Sequence, residues 1–79
     1  MEISVKGKRI LILGAGIMQI PALKTARDMG LRVYCADGNP KAPGADLADV
    51  FTDIDLIDLE ALTDFAALHQ VDGVFTAGT

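Results

Sequence analysis

Two stretches of helical spacing are set between four short apolar runs, and no other feature of this chain restricts its fold so strongly. The runs are Arg9-Ile10-Leu11-Ile12-Leu13, Arg32-Val33-Tyr34-Cys35-Ala36, Val50 to Ile54, and Val74-Phe75-Thr76-Ala77. Each has strand length. The first two are continuously apolar rather than alternating, as strands covered on both faces are. Between the first and second, Ala22, Leu23, Ala26 and Met29 recur at helical spacing, with Lys24, Arg27 and Asp28 turned outward. Proline is tolerated only in the first turn of a helix, so Pro21 places the start near Met18; Gly30 supplies a left-handed stop. Between the third and fourth runs, a helix capped by Asp55 or Asp58 extends to about Gln70. Its inner face is Leu59, Leu62, Phe65, Ala66 and His69. A single helical turn is expected at 45–48. Strands alternating with helices give an α/β fold with a parallel sheet and right-handed crossovers. The expected strand order is 3-2-1-4, a Rossmann-like half of a doubly wound fold.

A chain of 79 residues allows one domain, spanning 1–79. It stops just past the fourth strand, where a doubly wound unit normally continues, so it reads as a fragment of a larger protein. The net charge of −4 and pI near 4.6 argue against a general nucleic-acid binder, which needs a basic face. Cys35 is the lone cysteine. No disulfide framework can form, a reduced cytoplasmic setting is expected, and the thiol itself reads as a small buried hydrophobe in a strand. The longest apolar runs fall far short of the ~20 residues that span a bilayer, and no signal-peptide core is present, so no membrane partner is expected. The last strand should lie at an uncovered sheet edge, and bare edges invite pairing, so a homo-oligomer is expected.

In sheets of this kind, ligands bind beyond the carboxyl ends of the strands at the switch point. Three stretches converge there: Gly14 to Gln19, Asp37 to Gly44, and Ala77 to Thr79. Gly14 allows the tight turn and Gly16 lets a ligand approach the backbone. The helix start behind them offers free N–H groups and a positive dipole end, which suits a phosphate or carboxylate. A dinucleotide loop reads G-x-G-x-x-G, and the third glycine leaves room for the pyrophosphate. Here that position is Gln19, whose amide can reach a ligand or a neighbouring loop. Asp37 stands about twenty residues after Gly16, where a dinucleotide fold places its ribose-binding acid. The residues alone therefore leave three readings open. One is a nucleotide- or NAD(P)-binding module of a dehydrogenase or regulatory protein. Another is a related fold with a different ligand. The third is a βα unit that these residues merely close. His69 has no metal-ligand partner at suitable spacing and reads as a helix-terminal histidine. Asp53, Asp55, Asp58, Glu60 and Asp64 lack the glycine and ligand spacing of a calcium loop and read as a solvated, helix-capping face.

"GAGIMQ", then "DGNPKAPGADLAD", then "VDGVFTAGT" together resemble the N-terminal domain of ATP-grasp ligases, and most of all the carbamoyl-phosphate-synthetase-like members. The likeness runs from about Lys8 to Thr79. The middle segment is the most specific: an acid at the end of the second strand, Asn-Pro and Ala-Pro, and an alanine–aspartate pair before the third strand. The resemblance implies a Rossmann-like domain that holds no NAD and helps hold a small carboxylate or phosphorylated substrate. Carried over by position, the substrate-binding residues are Gly14, Gly16 and Gln19 on the first loop, Asp37, Asn39 and Pro43 on the second, and Gly78 and Thr79 on the last. ATP and magnesium belong to later domains of such a ligase, which activates a carboxylate as an acyl phosphate for attack by an amine. No catalytic residue and no metal ligand falls on this chain, which should be inactive alone. Several purine enzymes of the family keep glycine where Gln19 stands, and carbamoyl-phosphate synthetases have a longer insertion after the glycines.

Overall fold

β1 (Arg9–Leu13) and β2 (Arg32–Ala36) form the centre of a parallel four-stranded sheet, with β3 (Val50–Thr52) outside β2 and β4 (Gly73–Thr76) outside β1. The order is β3-β2-β1-β4, the Rossmann-like arrangement expected from the alternation of runs. The computed structural model describes residues 6–76, so the expectations placed on Ala77, Gly78 and Thr79 lie outside the described residues. Leu11 of β1 pairs with Tyr34 of β2 and Val74 of β4, and Cys35 pairs with Phe51 of β3.

Side chains alternate across a strand, so this register divides the core into two. On one face Ile12, Val33 and Cys35 pack with Leu23, Ala26, Ala15 and Ala42. On the other, Leu11, Tyr34 and Ala36 pack with Leu62, flanked by half-buried Phe65 and Ala66. Helix α1 (Ile20–Asp28) covers the first face and helix α2 (Leu59–Leu68) the second. Burying a side chain such as Leu23 fully contributes roughly 1.5–3 kcal/mol.

The helix ends follow local chemistry closely. α1 starts two residues later than the spacing predicts, because a 3-10 turn at Ile17–Gln19 winds the chain first, with the Gln19 N–H donating to the Gly16 carbonyl at 3.0 Å. Pro21 then sits in the first turn of α1, where a missing N–H costs nothing. Gly30 ends the helix at φ +79°; its N–H donates to the Arg27 carbonyl and that of Leu31 to the Ala26 carbonyl, a Schellman pair. α2 repeats the device with Gln70 at φ +53° in place of glycine, donating to Ala67 while Val71 donates to Ala66. At the other end of α2, Asp58 is the N-cap, its carboxylate accepting the Ala61 N–H at 3.1 Å. Asp55 makes the turn before it, accepting the Ile57 N–H.

Two expected inner-face residues are turned out. Met29 is 51% exposed and Leu59 71% exposed. Both belong to the helix sides nearest β4, where no further element of the described chain covers the sheet. β3 is also shorter than expected, ending at Thr52 rather than Ile54. The expected 45–48 turn is a 3-10 turn at Ala45–Leu47.

Candidate functional site

The carboxyl end of β1 leads into the glycine loop. Gly14 sits at φ +103°, a backbone conformation that glycine adopts freely, and its N–H donates to the Ala36 carbonyl at 2.7 Å. Gln19 stands at the N-cap position of α1, yet its side chain makes no capping bond. The 3-10 turn holds Gln19 in helical geometry, at φ −90° and ψ −12°, and the side chain folds back over the loop. A Cβ on Gly14 would lie 3.2 Å from Gln19 Cδ, and one on Gly16 would lie 3.1 Å from Gln19 Oε1. The carboxamide therefore covers both glycines and fills space that the third glycine of a dinucleotide loop leaves open.

The loop after β2 closes on the same turn. Asp37 Oδ2 accepts the Ala15 N–H at 2.8 Å, and Oδ1 accepts the Asn39 N–H at 2.8 Å. The Asp37 N–H donates to the Thr52 carbonyl at 3.2 Å, so this one residue joins the ends of β1, β2 and β3. Farther along, the Gly44 N–H donates to the Ala15 carbonyl at 2.7 Å. Ala15 is fully buried, and both of its backbone polar groups are taken by the β2 loop. Gly44 has to be glycine for a steric reason, since a Cβ there would meet Leu23 Cδ1 at 2.6 Å and the Ala15 carbonyl oxygen at 2.9 Å.

Beyond this clasp, the N–H groups of Gly16, Ile17 and Met18 meet no acceptor among the described residues. They lie at the start of the 3-10 turn that leads into α1, where unpaired backbone donors favour an anion. Asp37 contributes a carboxylate on the other side of Ala15, so the charge at the loop is divided between a positive helix end and one fixed acid.

Cys35 lies below the loop, fully buried, with its thiol donating to the Gly14 carbonyl at 3.2 Å. Burial, and secondarily the negative charge of Asp37, push the thiol pKa up to about 11. A thiol held protonated in this way is a poor nucleophile, and the residue acts as a packed hydrophobe with one weak hydrogen bond.

Of the residues predicted to form the site, the structure joins Gly14, Gly16, Gln19 and Asp37 in one cluster. Asn39 is held by Asp37, but its own carboxamide oxygen accepts the Lys41 N–H at 3.0 Å in a local turn. Pro43 is exposed on the outer side of that loop. Gly78 and Thr79 lie outside the described residues. Sequence reasoning missed Ala15, Ala42 and Gly44 as the residues that dock the two loops; the only local signal was the Pro43-Gly44 step inside an otherwise ordinary turn-rich loop. Elsewhere, the His69 ring packs at a tilt against Phe65, ring centroids 4.4 Å apart, and against Tyr34 at 5.1 Å. Its carbonyl accepts from the Arg9 guanidinium. Among the described residues no three His, Cys, Asp or Glu side chains converge in a way that would hold a metal ion. No helix of the described residues is long and apolar enough to cross a membrane.

The class defined by fold and site is a Rossmann-like α/β unit whose glycine loop is filled by a glutamine and clasped by the β2 loop. Among solved structures, the chain is similar to glycinamide-RNase-transformylase T from Mycobacterium tuberculosis, with a TM-score of 0.81 and 25% identity over 90% of the chain. The chain spans only 20% of that protein's length, so the likeness is to one part of a much larger molecule. No family model and no curated protein matches the sequence.

Proposed function

We propose that this chain is the substrate-side N-terminal domain of an ATP-grasp ligase, and that the Gly14–Gln19 loop receives an anionic group of a small substrate rather than a dinucleotide pyrophosphate. The observation that carries this reading is the placement of Gln19 across Gly14 and Gly16. It reduces the room for a pyrophosphate, while the Gly16, Ile17 and Met18 N–H groups meet no acceptor among the described residues. Asp37 supports the same conclusion. Both of its oxygens already accept backbone N–H groups, which competes with the ribose contact that a dinucleotide fold asks of it. The likeness to glycinamide-RNase-transformylase T, an ATP-grasp enzyme, agrees with the motifs "GAGIMQ" and "DGNPKAPGADLAD".

In this reading the ligand is a carboxylate or phosphorylated small molecule, and the ligase chemistry resides elsewhere in a longer protein. ATP and magnesium are, in this reading, held by other domains of that longer protein. A carbamoyl-phosphate-synthetase-like specificity rests on the motif resemblance alone and is part of the proposal, as is the cytoplasmic setting.

Amide chemical-shift titration tests the reading. Inorganic phosphate should move the signals of Gly16, Ile17 and Met18 ahead of the rest, with weak affinity. NADH should do no better than phosphate at equal ionic strength. Saturable NADH binding at low micromolar concentration, lost in Asp37→Asn, would replace this reading with the dinucleotide one.

A further inference from the structure

Arg9 and Arg32 are Cα partners at the amino ends of β1 and β2. Side chains paired across parallel strands share a face, and two residues farther on Leu11 and Tyr34 belong to the core under α2. Both guanidinium groups therefore stand on the α2 side, at the end of the sheet opposite the glycine loop. A strand rises about 3.3 Å per residue, which sets this end roughly 16 Å from Gly14.

Each guanidinium is pinned by one bond to a neutral oxygen. Arg9 Nη1 donates to the His69 carbonyl at 2.8 Å, and Arg32 Nε donates to the Tyr34 hydroxyl at 3.2 Å. Arg32 also lies 5.9 Å from the centroid of the Tyr34 ring, against which the His69 ring packs. Most N–H donors of both forks remain after these bonds. The chain has eleven acids against seven basic residues, yet among the described residues neither guanidinium has a carboxylate at ion-pair distance. Two acids at this end are engaged by backbone instead. Asp72 Oδ2 accepts the Arg9 N–H at 2.7 Å, and Asp49 Oδ2 accepts the Val33 N–H at 2.7 Å, attracting Arg32 from farther off. Like charges set directly opposite each other weaken a sheet. A fold that keeps such a pair without a counter-ion breaks a local rule, and functional sites are where such breaks are expected.

We propose that Arg9 and Arg32 form a second anion site, at the amino end of the sheet, that takes a phosphate group. The site stands apart from the glycine loop and does not rest on the ligase reading. Fork geometry selects phosphate over carboxylate. A single guanidinium fork satisfies the paired oxygens of a carboxylate. A phosphate carries oxygens on several sides, so two forks on strands about 4.8 Å apart can grip it together. The bonds to His69 and Tyr34 restrain both side chains before a ligand arrives, so less rotamer freedom is lost on binding.

The Nε–H signals of Arg9 and Arg32 and the ring signals of His69 read this site by nuclear magnetic resonance, while the Gly16, Ile17 and Met18 amides read the loop. Inorganic phosphate should move the arginine signals saturably, and acetate or chloride at equal ionic strength should not. Glycerol phosphate is the second arm: tighter binding than inorganic phosphate assigns the site to a phosphate ester, weaker binding to the free ion. Arg32→Gln should raise the dissociation constant read at Arg9 and His69 roughly tenfold, as loss of a charge-assisted pair does. Arg32→Lys should not restore it, since a point charge lacks the fork. Arg27→Gln removes a guanidinium that donates to the Leu47 carbonyl on the other side of the sheet, and should leave the constant unchanged. If circular dichroism shows Arg32→Gln unfolded, Arg9→Gln takes its place, read at Arg32. Arginine signals that ignore phosphate, equal shifts with acetate or chloride, an unchanged constant in Arg32→Gln, full rescue by Arg32→Lys, or an equal loss in Arg27→Gln each overturns the proposal. None of these outcomes touches the loop, whose amides report separately.

Discussion

Gly44→Ala is the most informative single change in this protein, because two known effects oppose each other and the geometry decides the sign. The backbone at Gly44 has φ −89° and ψ −3°, which alanine adopts without strain. On chain entropy alone the change should stabilise by about 0.4–1 kcal/mol, because the unfolded chain loses freedom. The added Cβ, however, would sit 2.6 Å from Leu23 Cδ1 and 2.9 Å from the Ala15 carbonyl oxygen. Leu23 is fully buried against the sheet and cannot swing away, and the Ala15 oxygen belongs to backbone held in the glycine turn. The β2 loop must therefore retreat. That costs about 1–3 kcal/mol for overpacking, and about 1 kcal/mol more if the Gly44–Ala15 hydrogen bond lengthens beyond use. The net expectation is destabilisation of about 1–3 kcal/mol, a large share of the roughly 4–12 kcal/mol that a domain of this size commands. In a chain this short, each kcal/mol moves the melting temperature by about 4–8 °C. Thermal and urea unfolding followed by circular dichroism read the loss, with an unchanged urea m value showing that stability alone has moved. A double-mutant cycle with Leu23→Val isolates the cause. Removing Cδ1 takes away the closest clash, so the double variant should be more stable than the sum of the singles by about 0.5–1 kcal/mol. A Gly44→Ala protein as stable as the parent, or a cycle that is simply additive, would refute the steric account and with it the claim that these two loops are locked together.

Two further outcomes follow from single positions. Gln70 holds a left-handed conformation at φ +53° in the C-terminal cap of α2, so Gln70→Gly should stabilise by about 0.5–1 kcal/mol in urea unfolding. Cys35 should resist alkylation at pH 8 in the folded protein and react at a normal rate once urea unfolds it. Its folded pKa of about 11 lies above the unfolded value of 9.0, so its contribution to stability is complete below about pH 9 and is lost as the pH rises toward 11. Cys35→Ala should therefore flatten the fall of stability over that alkaline window, and an unchanged slope would count against the buried, protonated thiol.

The alternation of apolar runs with helical spacings was enough to establish the parallel sheet, the order β3-β2-β1-β4, the position of Pro21, the Gly30 stop and the acidic cap of α2. These are local properties. A left-handed stop, a capping carboxylate or a strand period depends on residues within a few positions of one another, and right-handed crossovers leave few ways to arrange the result. The glycine loop was legible for the same reason: a tight turn after an apolar strand has a characteristic composition.

What the chain does with that loop was decided only by tertiary structure. The sequence placed Gln19 near a helix start with an amide able to reach a ligand or a neighbouring loop, and the fold sets that side chain against Gly14 and Gly16. Asp37 carried the spacing of a ribose-binding acid, and register brought it close enough to the Ala15 N–H to become part of the loop's own framework. Gly44 showed nothing in sequence beyond a turn residue, since the Leu23 and Ala15 atoms that forbid a side chain there lie more than twenty positions away. Met29 and Leu59 had the right helical phase for burial and remain exposed, because phase says which way a residue faces and not whether anything stands there to meet it. Periodicity is written in neighbours along the chain, while cover, clash and hydrogen-bond capture depend on which distant segments the sheet brings into contact.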